Sequence, residues 1–411
     1  DFYDELYSGK KNKYEWWTKV AGADQNAFAT VSYDLHRMRR APLSPLFSAR
    51  AVSALEPTIR SKVDKLVTRF DQFARTDEIV RLDTAFMALT MDIICDYSFG
   101  KDRKYLDEPD FKEAWKNAVL GAFENGAMVR MYPWIVPVMK SLPISVVSWM
   151  NEGAGQLMWW QQSVREDIQP ILDGTDEKTK DTTIFHALRD SNLPPEERAL
   201  ERLVDEAEAF TGAGSETTAQ TLTRLMFYLK REPQTLQKLR EELDPVFAGA
   251  SKPLSWNELQ KLPYMTAVIK EGLRLSYGVT TRLPRISNED MIYKDHVIPA
   301  GTPVSQAPYH VLVHPDIFPE PEVFRPERWL ETPGLDKYLV SFGRGTRSCI
   351  GINLAYAELY ITMSTLATHF NWELYDTSLK DVVCKHDFFV AVADRSSKGV
   401  RARLSLRNNQ V

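Results

Sequence analysis

The sequence predicts a mainly α-helical protein with small β-sheets. Apolar residues recur at spacings of three and four over most of the first three quarters of the chain, which is typical of amphipathic helices. The strongest helical pattern follows Pro194 and Pro195 and covers residues 196–231. At 1.5 Å per residue this helix would be roughly 54 Å long, enough to cross a whole domain. Segments with strand character are short and lie mostly in the last third.

A single large domain over residues 1–411 is the predicted organisation. The length alone would suggest two or three domains. However, no Gly/Ser tract, Pro-rich linker or abrupt change of composition marks a boundary. A chain with 44% hydrophobic and 11% aromatic residues can fill one large core.

The individual elements follow from periodicity and from proline and glycine positions. Helices are predicted over 52–73, 84–99, 110–129, 147–172, 263–277 and 353–369. Strands are predicted over 291–293, 297–298, 303–304, 388–392 and 400–406, the last two segments as strand pairs.

Charge and cysteine content exclude several classes of protein. A net charge of -5 without a dominant basic stripe argues against nucleic acid as a partner. The three cysteines, Cys95, Cys349 and Cys384, are widely scattered, which argues against a disulfide framework and for a reducing compartment. Cys95 and Cys384 lie in apolar surroundings and are predicted to be small buried hydrophobic residues. No run approaches the roughly 18 apolar residues that span a bilayer.

The most informative segment is 342–351, where Cys349 lies in a loop of glycines and arginines just before a predicted helix. A helix N-terminus and nearby guanidinium groups are expected to lower the pKa of this thiol and to favour a thiolate ligand. Gly345 and Gly351 are expected to let the backbone approach a large flat ligand. The alternative is a buried structural cysteine near a turn.

The pattern Phe-x-x-Gly-x-Arg-x-Cys-x-Gly in this segment resembles the haem-ligand loop of the cytochrome P-450 superfamily. The resemblance implies the cytochrome P-450 fold, with a long central helix over haem b. It also implies that Cys349 is the axial ligand of the haem iron. The cofactor-binding residues that it implies in this loop are Phe342, Gly343, Arg347 and Gly351.

Weak helix formers interrupt the middle of the long helix. Gly212 and Gly214 should each cost about 1 kcal/mol relative to alanine there, which indicates a local constraint such as space for a ligand. The alternative is a close helix crossing. Residues 213–218 resemble the superfamily's oxygen-activation motif, Ala-Gly-x-Asp/Glu-Thr-Thr. The resemblance implies that Ala213 and Gly214 lie against haem, and that Thr217 with Glu216 helps deliver protons to bound O2.

Glu271 and Arg274 lie three residues apart on one predicted helix face. Alone this is weak, because an exposed pair contributes only about 0.2–0.5 kcal/mol and the same spacing recurs at Glu322 and Arg325. The resemblance implies more, namely that Glu271, Arg274 and Arg328 form a buried charge network that braces the cysteine loop without taking part in the chemistry.

The densest basic run is 36–40, and His36 and Arg40 share a helix face suited to an anionic group. A solvated basic face or a nucleic-acid patch are the alternatives. The resemblance implies contacts from His36, Arg40, Arg285 and Arg347 to the haem propionates, four cations against two carboxylates.

Segments 35–42 and 182–188 are similar to fungal secondary-metabolism members of the superfamily, of which the trichodiene oxygenase-like group is the nearest. This similarity implies a haem-thiolate monooxygenase that inserts one oxygen atom from O2 into a hydrophobic small molecule, a terpenoid or polyketide. Electrons would come from NADPH via NADPH-cytochrome P-450 reductase. The alternatives are a haem-thiolate isomerase or dehydratase acting on peroxides, or a non-catalytic truncated remnant.

Residues 1–7 resemble the family's second named helix, so we expect the membrane anchor, the first helix and the first two strands to be missing from this sequence. The full-length form is expected as a monomer at the cytosolic face of the endoplasmic reticulum membrane, held by that anchor. The apolar segment 132–139 is either a membrane-dipping lip or an ordinary buried connection. From the family's layout, the substrate walls are expected at 16–29, 203–213, 279–283 and 388–389.

Overall fold

The computed structural model describes residues 2–19, 23–176 and 183–407. Helices make up most of this part of the chain, and the helical prediction is confirmed. The helices are α1 Phe2–Tyr7, α2 Glu15–Thr18, α3 Tyr33–Arg40, α4 Ala49–Thr76, α5 Leu82–Phe99, α6 Glu113–Met131, α7 Ile135–Lys140, α8 Ile144–Met150, α9 Glu152–Asp173, α10 Ile184–Arg189, α11 Leu200–Arg231, α12 Pro233–Ala248, α13 Trp256–Leu259, α14 Pro263–Ser276, α15 Pro308–Leu312, α16 Arg328–Glu331 and α17 Ile352–His369.

The long helix α11 begins at Leu200, later than predicted. Residues Pro195–Arg198 form a single 3₁₀ turn, and Ala199 is extended with φ −63° and ψ 146° before the α-helix starts. The helix has 32 residues and is therefore about 48 Å long. It packs along α5, which is buried on nearly every side. This pair of helices forms the centre of the hydrophobic core.

The helix predicted over 147–172 is wrong in one respect, because two helices occupy this region. Asn151 is extended, with φ −154° and ψ 106°, and its Oδ1 accepts a hydrogen bond from the Ala154 backbone N–H at 2.9 Å, which caps α9. The chain folds back so tightly that a Cβ on Gly155 would lie 2.1 Å from Ser148 Oγ. Glycine is therefore required where α8 and α9 meet.

The sheets are small, as predicted, and their strands are antiparallel. The strands are β1 Asn12–Lys13, β2 Ile79–Arg81, β3 Arg285–Ile286, β4 Met291–Tyr293, β5 His296–Ile298, β6 Pro303–Val304, β7 Phe370–Leu374, β8 His386–Phe388, β9 Val390–Val392 and β10 Arg401–Leu406. One sheet has the order β1-β3-β6 and another the order β2-β10-β7, and β4–β5 and β8–β9 form two separate hairpins.

Segment 400–406 does not form a strand pair of its own. Its residues form the single strand β10, which pairs with β2 on one side and with β7 on the other. Neither partner was predicted, because β2 is only three residues long and β7 follows directly after α17. Segment 388–392 does contribute to the β8–β9 hairpin, which turns at Phe389.

Segment 132–139 is not an ordinary buried connection. It contains α7, which has no buried residue, and Trp134 is 63% exposed. In the part of the chain that the structure describes, no helix combines the length and the apolar character needed to cross a membrane.

Candidate functional site

The loop around Cys349 is closed by its own backbone. The Cys349 N–H donates to the Phe342 carbonyl oxygen at 2.9 Å, and Gly343 and Gly345 both have φ of +70°. A Cβ on Gly345 would lie 2.2 Å from the Tyr7 carbonyl oxygen. Gly345 therefore makes room for the end of α1, which corrects the expectation that it faces a ligand. A Cβ on Gly351 would lie 3.9 Å from Cys349 Sγ.

The Cys349 side chain is solvent-accessible in this structure, although protein surrounds it closely. Burial raises the pKa of its thiol, while the Gly351 N–H and the Arg40 charge act in the lowering direction. The predicted lowering of the Cys349 pKa is therefore not produced by the surrounding protein, because the burial of the thiol outweighs the backbone N–H at the helix start and the Arg40 guanidinium group.

The middle of α11 has an accessible strip on an otherwise buried helix. Ala213 is exposed and Thr217 is partly exposed, whereas Ser215, Glu216 and Thr218 are buried. The Thr217 hydroxyl donates to the Ala213 carbonyl oxygen at 2.8 Å. Residues four apart share a helix face, so Ala213 and Thr217 lie on the same accessible strip.

The next residue, Gly214, packs against α5. A Cβ at Gly214 would lie 3.0 Å from Ile94 Cγ1 of α5. Close by, the Thr90 hydroxyl donates to the Ser215 carbonyl oxygen at 2.7 Å. The close crossing of α5 and α11, the alternative that the sequence left open, therefore accounts for a small residue at this position, and the predicted contact of Gly214 with a cofactor stays a prediction.

Glu216 is turned into the protein, away from the accessible strip. It is 1% exposed, and its Oε1 accepts from Gln220 Nε2 at 2.8 Å. Its Oε2 has no hydrogen-bond partner but lies 3.7 Å from Lys116 Nζ. Sequence reasoning missed Lys116, since nothing in the sequence shows that α6 places a lysine against α11.

Four long cationic side chains meet near the cysteine loop. Arg40 donates to the Ser348 carbonyl oxygen at 2.7 Å, and Arg347 donates to the Thr30 and Val31 carbonyl oxygens at 2.8 and 2.9 Å. Arg285 is 4% exposed and Lys13 is 3% exposed, and they face each other in the β1–β3 register. Among the described residues, none of these four cations forms an ion pair with a carboxylate.

His36 does not act as a cation in this arrangement. Burial lowers the pKa of His36 to about 3, with further lowering by the Arg347 and Arg40 charges. Lys13, which sequence reasoning missed, is the fourth basic side chain of this group, and burial, followed by the Arg285 and Arg347 charges, lowers its pKa well below the usual value. Its position depends on strand register, for which the sequence carries no signal.

Unpaired buried cations are costly unless an anion joins them. Here they cluster beside the accessible Cys349 thiol, and Arg347 Nε is left without a hydrogen-bond partner. The Cys349 thiol and these basic side chains therefore fit haem, a large flat cofactor that contains iron and carries carboxylate groups.

Glu271 is the centre of a fully buried charge network on α14. Its Oε1 accepts from Arg274 Nη2 at 2.7 Å and from Arg328 Nε at 3.1 Å. Its Oε2 accepts from Arg274 Nε and from Trp329 Nε1, both at 2.9 Å. The structure thus brings together the three residues expected to form a network, and adds Trp329.

This network is linked to the cysteine loop by the end of α14. The Ser341 hydroxyl donates to the Leu273 carbonyl oxygen at 2.9 Å. Gly278 has φ of +63°, and a Cβ there would lie 2.3 Å from the Ser341 carbonyl oxygen. The segment that begins the cysteine loop therefore rests directly on the helix that carries Glu271.

Four aromatic rings from three segments of the chain meet where two of the expected substrate walls, 16–29 and 388–389, come together. Phe389 lies 5.8 Å from Phe28, 5.2 Å from Phe123 and 6.3 Å from Trp17, measured between ring centroids. Residues 20–22 of the expected wall lie outside the described residues. The cluster is apolar and suits a hydrophobic ligand.

Comparison with known proteins agrees with this geometry. The family model described as Cytochrome P450 matches residues 6–396. Cytochrome P450 monooxygenase claJ of Penicillium crustosum is 38% identical, with 97% of this chain and 94% of that protein aligned. Cytochrome P450 monooxygenase TRI4 of Fusarium sporotrichioides is 41% identical over 88% of this chain and 71% of its own length. N-acetyltryptophan 6-hydroxylase ivoC of Emericella nidulans is 35% identical over 99% of this chain and 82% of its own length.

Proposed function

The chain belongs to the cytochrome P450 family of oxygen-incorporating oxidoreductases, and we propose that it binds haem b through Cys349 and inserts one oxygen atom of O2 into a hydrophobic small molecule. The observation that carries this proposal is the accessible Cys349 thiol beside buried and half-buried basic side chains that have no carboxylate partner among the described residues.

In this proposal Cys349 would hold the haem iron through its sulfur, and Phe342, Gly343 and Gly351 shape the loop around that sulfur. The carboxylates of the cofactor meet Arg40, Arg285, Arg347 and Lys13, with neutral His36 as a hydrogen-bonding group. When bound, a thiolate-ligated haem supplies the activation of dioxygen.

The chain's own residues control protons and water around that chemistry. The Thr217 hydroxyl lies at the accessible strip and can pass a proton onward, and we assign Glu216, the buried carboxyl group of the same turn, to proton delivery together with it. Phe28, Phe123 and Phe389 exclude water from the substrate space and hold an apolar substrate by contact.

The proposal also covers the substrate class, the redox partner, the oligomeric state and the cellular location. Its relatives are fungal monooxygenases, which supports hydroxylation or epoxidation of a terpenoid or polyketide in fungal secondary metabolism. Electrons would come from NADPH through NADPH-cytochrome P450 reductase. We place the whole chain in one catalytic domain that works as a monomer at the endoplasmic reticulum membrane, on the strength of the family alone.

Turnover under ¹⁸O2 tests the proposal. The haem-loaded protein, a fungal reductase and NADPH are incubated with panels of terpenoid and polyketide substrates. The expected result is a product carrying one ¹⁸O atom, formed only with NADPH and reductase. Product formation from a hydroperoxide without NADPH would instead favour an isomerase or dehydratase, and failure to take up haem would refute the assignment of Cys349.

A further inference from the structure

Arg130, near the end of α6, is a half-buried cation that the function proposed above does not use. In the part of the chain that the structure describes, its guanidinium group forms no hydrogen bond or ion pair, and its Nε is a buried atom without a partner. Burial lowers the pKa of Arg130, and the Asp387 charge acts in the raising direction. However, Asp387 forms no ion pair with Arg130 and instead accepts hydrogen bonds from Thr280 and Thr281 at 2.8 and 3.0 Å.

The side chains that contact Arg130 are aromatic. Its guanidinium carbon lies 5.6 Å from the ring centroid of Trp16 and 5.9 Å from that of Trp17. Trp17 belongs to the aromatic cluster described above, and its ring centroid lies 6.1 Å from that of Phe28. Trp16 is 46% exposed and Phe28 is 39% exposed. Arg130 therefore lies at the edge of an aromatic surface that a ligand can reach.

The same aromatic surface adjoins the basic side chains that are proposed to hold the carboxylates of haem. Lys13 Nζ lies 3.7 Å from the ring centroid of Phe28 and 5.8 Å from that of Trp17. Lys13 in turn faces Arg285 in the β1–β3 register. A molecule that lies on the aromatic cluster and contacts Arg130 is therefore next to the proposed cofactor site.

A guanidinium group in these surroundings favours an anionic group on an otherwise apolar molecule. Burial removes water from the cation, and the aromatic rings replace only part of that hydration. A carboxylate supplies the missing charge and matches the planar fork of arginine with two parallel hydrogen bonds. A single guanidinium charge also matches a carboxylate better than a phosphate group, which carries nearly two charges.

We propose that Arg130 is a specificity-determining residue that binds a carboxylate group of the substrate, whose apolar body lies on the aromatic cluster. The inference rests on the proposed monooxygenase function and narrows its substrate class to terpenoid or polyketide carboxylic acids. The carboxylate stays ionised and chemically unchanged, and the oxygen atom is inserted elsewhere in the molecule. Arg130 thus selects and orients the substrate by its charged end.

A matched pair of arginine variants separates ligand binding from support of the fold. Arg240 of α12 is also half-buried beside an indole ring, with its guanidinium carbon 5.9 Å from the ring centroid of Trp372. Unlike Arg130, it donates to the Ala367 and Phe370 carbonyl oxygens, at 2.9 and 2.6 Å. Arg240→Met should therefore lower the Tm and leave ligand affinity unchanged. Arg130→Met should not lower the Tm, because no hydrogen bond is lost.

Isothermal titration calorimetry of the haem-loaded protein measures the binding of carboxylic acids and of their neutral methyl esters. The probes are farnesoic acid, dehydroabietic acid and orsellinic acid, each with its methyl ester. The wild-type protein should bind at least one acid about tenfold more tightly than its ester. Arg130→Met should weaken the binding of that acid about 10- to 100-fold, the effect of losing hydrogen bonds between charged groups, and should change the affinity for the ester much less. Arg130→Lys, which keeps the charge without the fork, should retain part of the preference.

The inference is overturned if the wild-type protein binds none of the acids more tightly than its ester, or if Arg130→Met weakens acid and ester equally. Titration does not depend on turnover, so the two proposals fail separately. Binding of an acid through Arg130 without oxygenation of any substrate would refute the proposed function alone. Oxygenation of neutral substrates by a protein that has no preference for the acids would refute the role of Arg130 alone.

Discussion

Replacing Glu271 by glutamine should weaken both the fold and haem retention. The Glu271 carboxylate is fully buried and accepts five hydrogen bonds, two from Arg274 and one each from Arg325, Arg328 and Trp329. All of these partners are donors. A glutamine amide nitrogen would point two further N–H groups at them, whichever way the amide is turned.

The cost can be estimated from the charges involved. Removing one partner of a buried ion pair typically costs about 3–5 kcal/mol, because the remaining charge is left uncompensated. Two buried guanidinium groups lose their counter-charge here. With an unfolding entropy of about 2.1 cal/mol/K per residue over 411 residues, this cost corresponds to a fall in Tm of roughly 3–6 °C.

Thermal unfolding followed by circular dichroism, with the haem content of the purified protein, measures the effect. Glu322→Gln is the matched control, since Glu322 stands three residues before Arg325 in the same spacing but is exposed, and Arg325 pairs with Glu331 instead. Its effect should be within about 0.5 kcal/mol. The reasoning is refuted if Glu271→Gln melts within 1 °C of the wild-type protein, about 1 kcal/mol on this scale.

Two further predictions concern stability. Alanine at Gly272 should destabilise α14 by about 1–3 kcal/mol in urea unfolding, although alanine ordinarily favours a helix by about 1 kcal/mol, because its Cβ would lie 2.4 Å from Leu225 Cδ2. Gly121→Ala is the control, because a Cβ at Gly121 would meet no atom within 4 Å, and this variant should stabilise the protein. A stabilising effect of Gly272→Ala would contradict the close packing of Gly272 against Leu225. Burial, then the Asp205 charge, raises the pKa of Glu208 to about 8, so the folded form holds a proton that the unfolded chain releases near its ordinary value of 4.5. Between these two pKa values, 4.5 and about 8, the free energy of unfolding should therefore fall by at most about 1.4 kcal/mol per pH unit. Glu208→Gln should remove this pH dependence, which thermal unfolding at pH 5 and pH 8 measures. The same pH dependence in the wild-type protein and in Glu208→Gln would refute the prediction.

The sequence was informative where a feature depends on neighbours along the chain. The spacing of Glu271 and Arg274, the order of the motifs and the cysteine loop are of this kind, and the residues of each lie together in the structure. Most helices were also predictable, because their burial follows a period close to 3.6 residues.

The sequence was uninformative where a feature depends on how elements cross. Lys13 meets Arg285 only through the register of two-residue strands, and Lys116 meets Glu216 only because α6 lies against α11. The close packing of Gly214 against Ile94 of α5 is also invisible in the sequence. The break at Asn151 is invisible to periodicity, since α8 and α9 are both helical on either side of one extended residue.

The absorption spectrum of the reduced, carbon monoxide-bound protein tests the central assignment most directly. The wild-type chain should have the red-shifted Soret band of a thiolate-ligated haem, and Cys349→Ser should lose it while retaining its far-ultraviolet circular dichroism. A Cys349→Ser protein with an unchanged spectrum would contradict the assignment of residue 349 as the iron ligand.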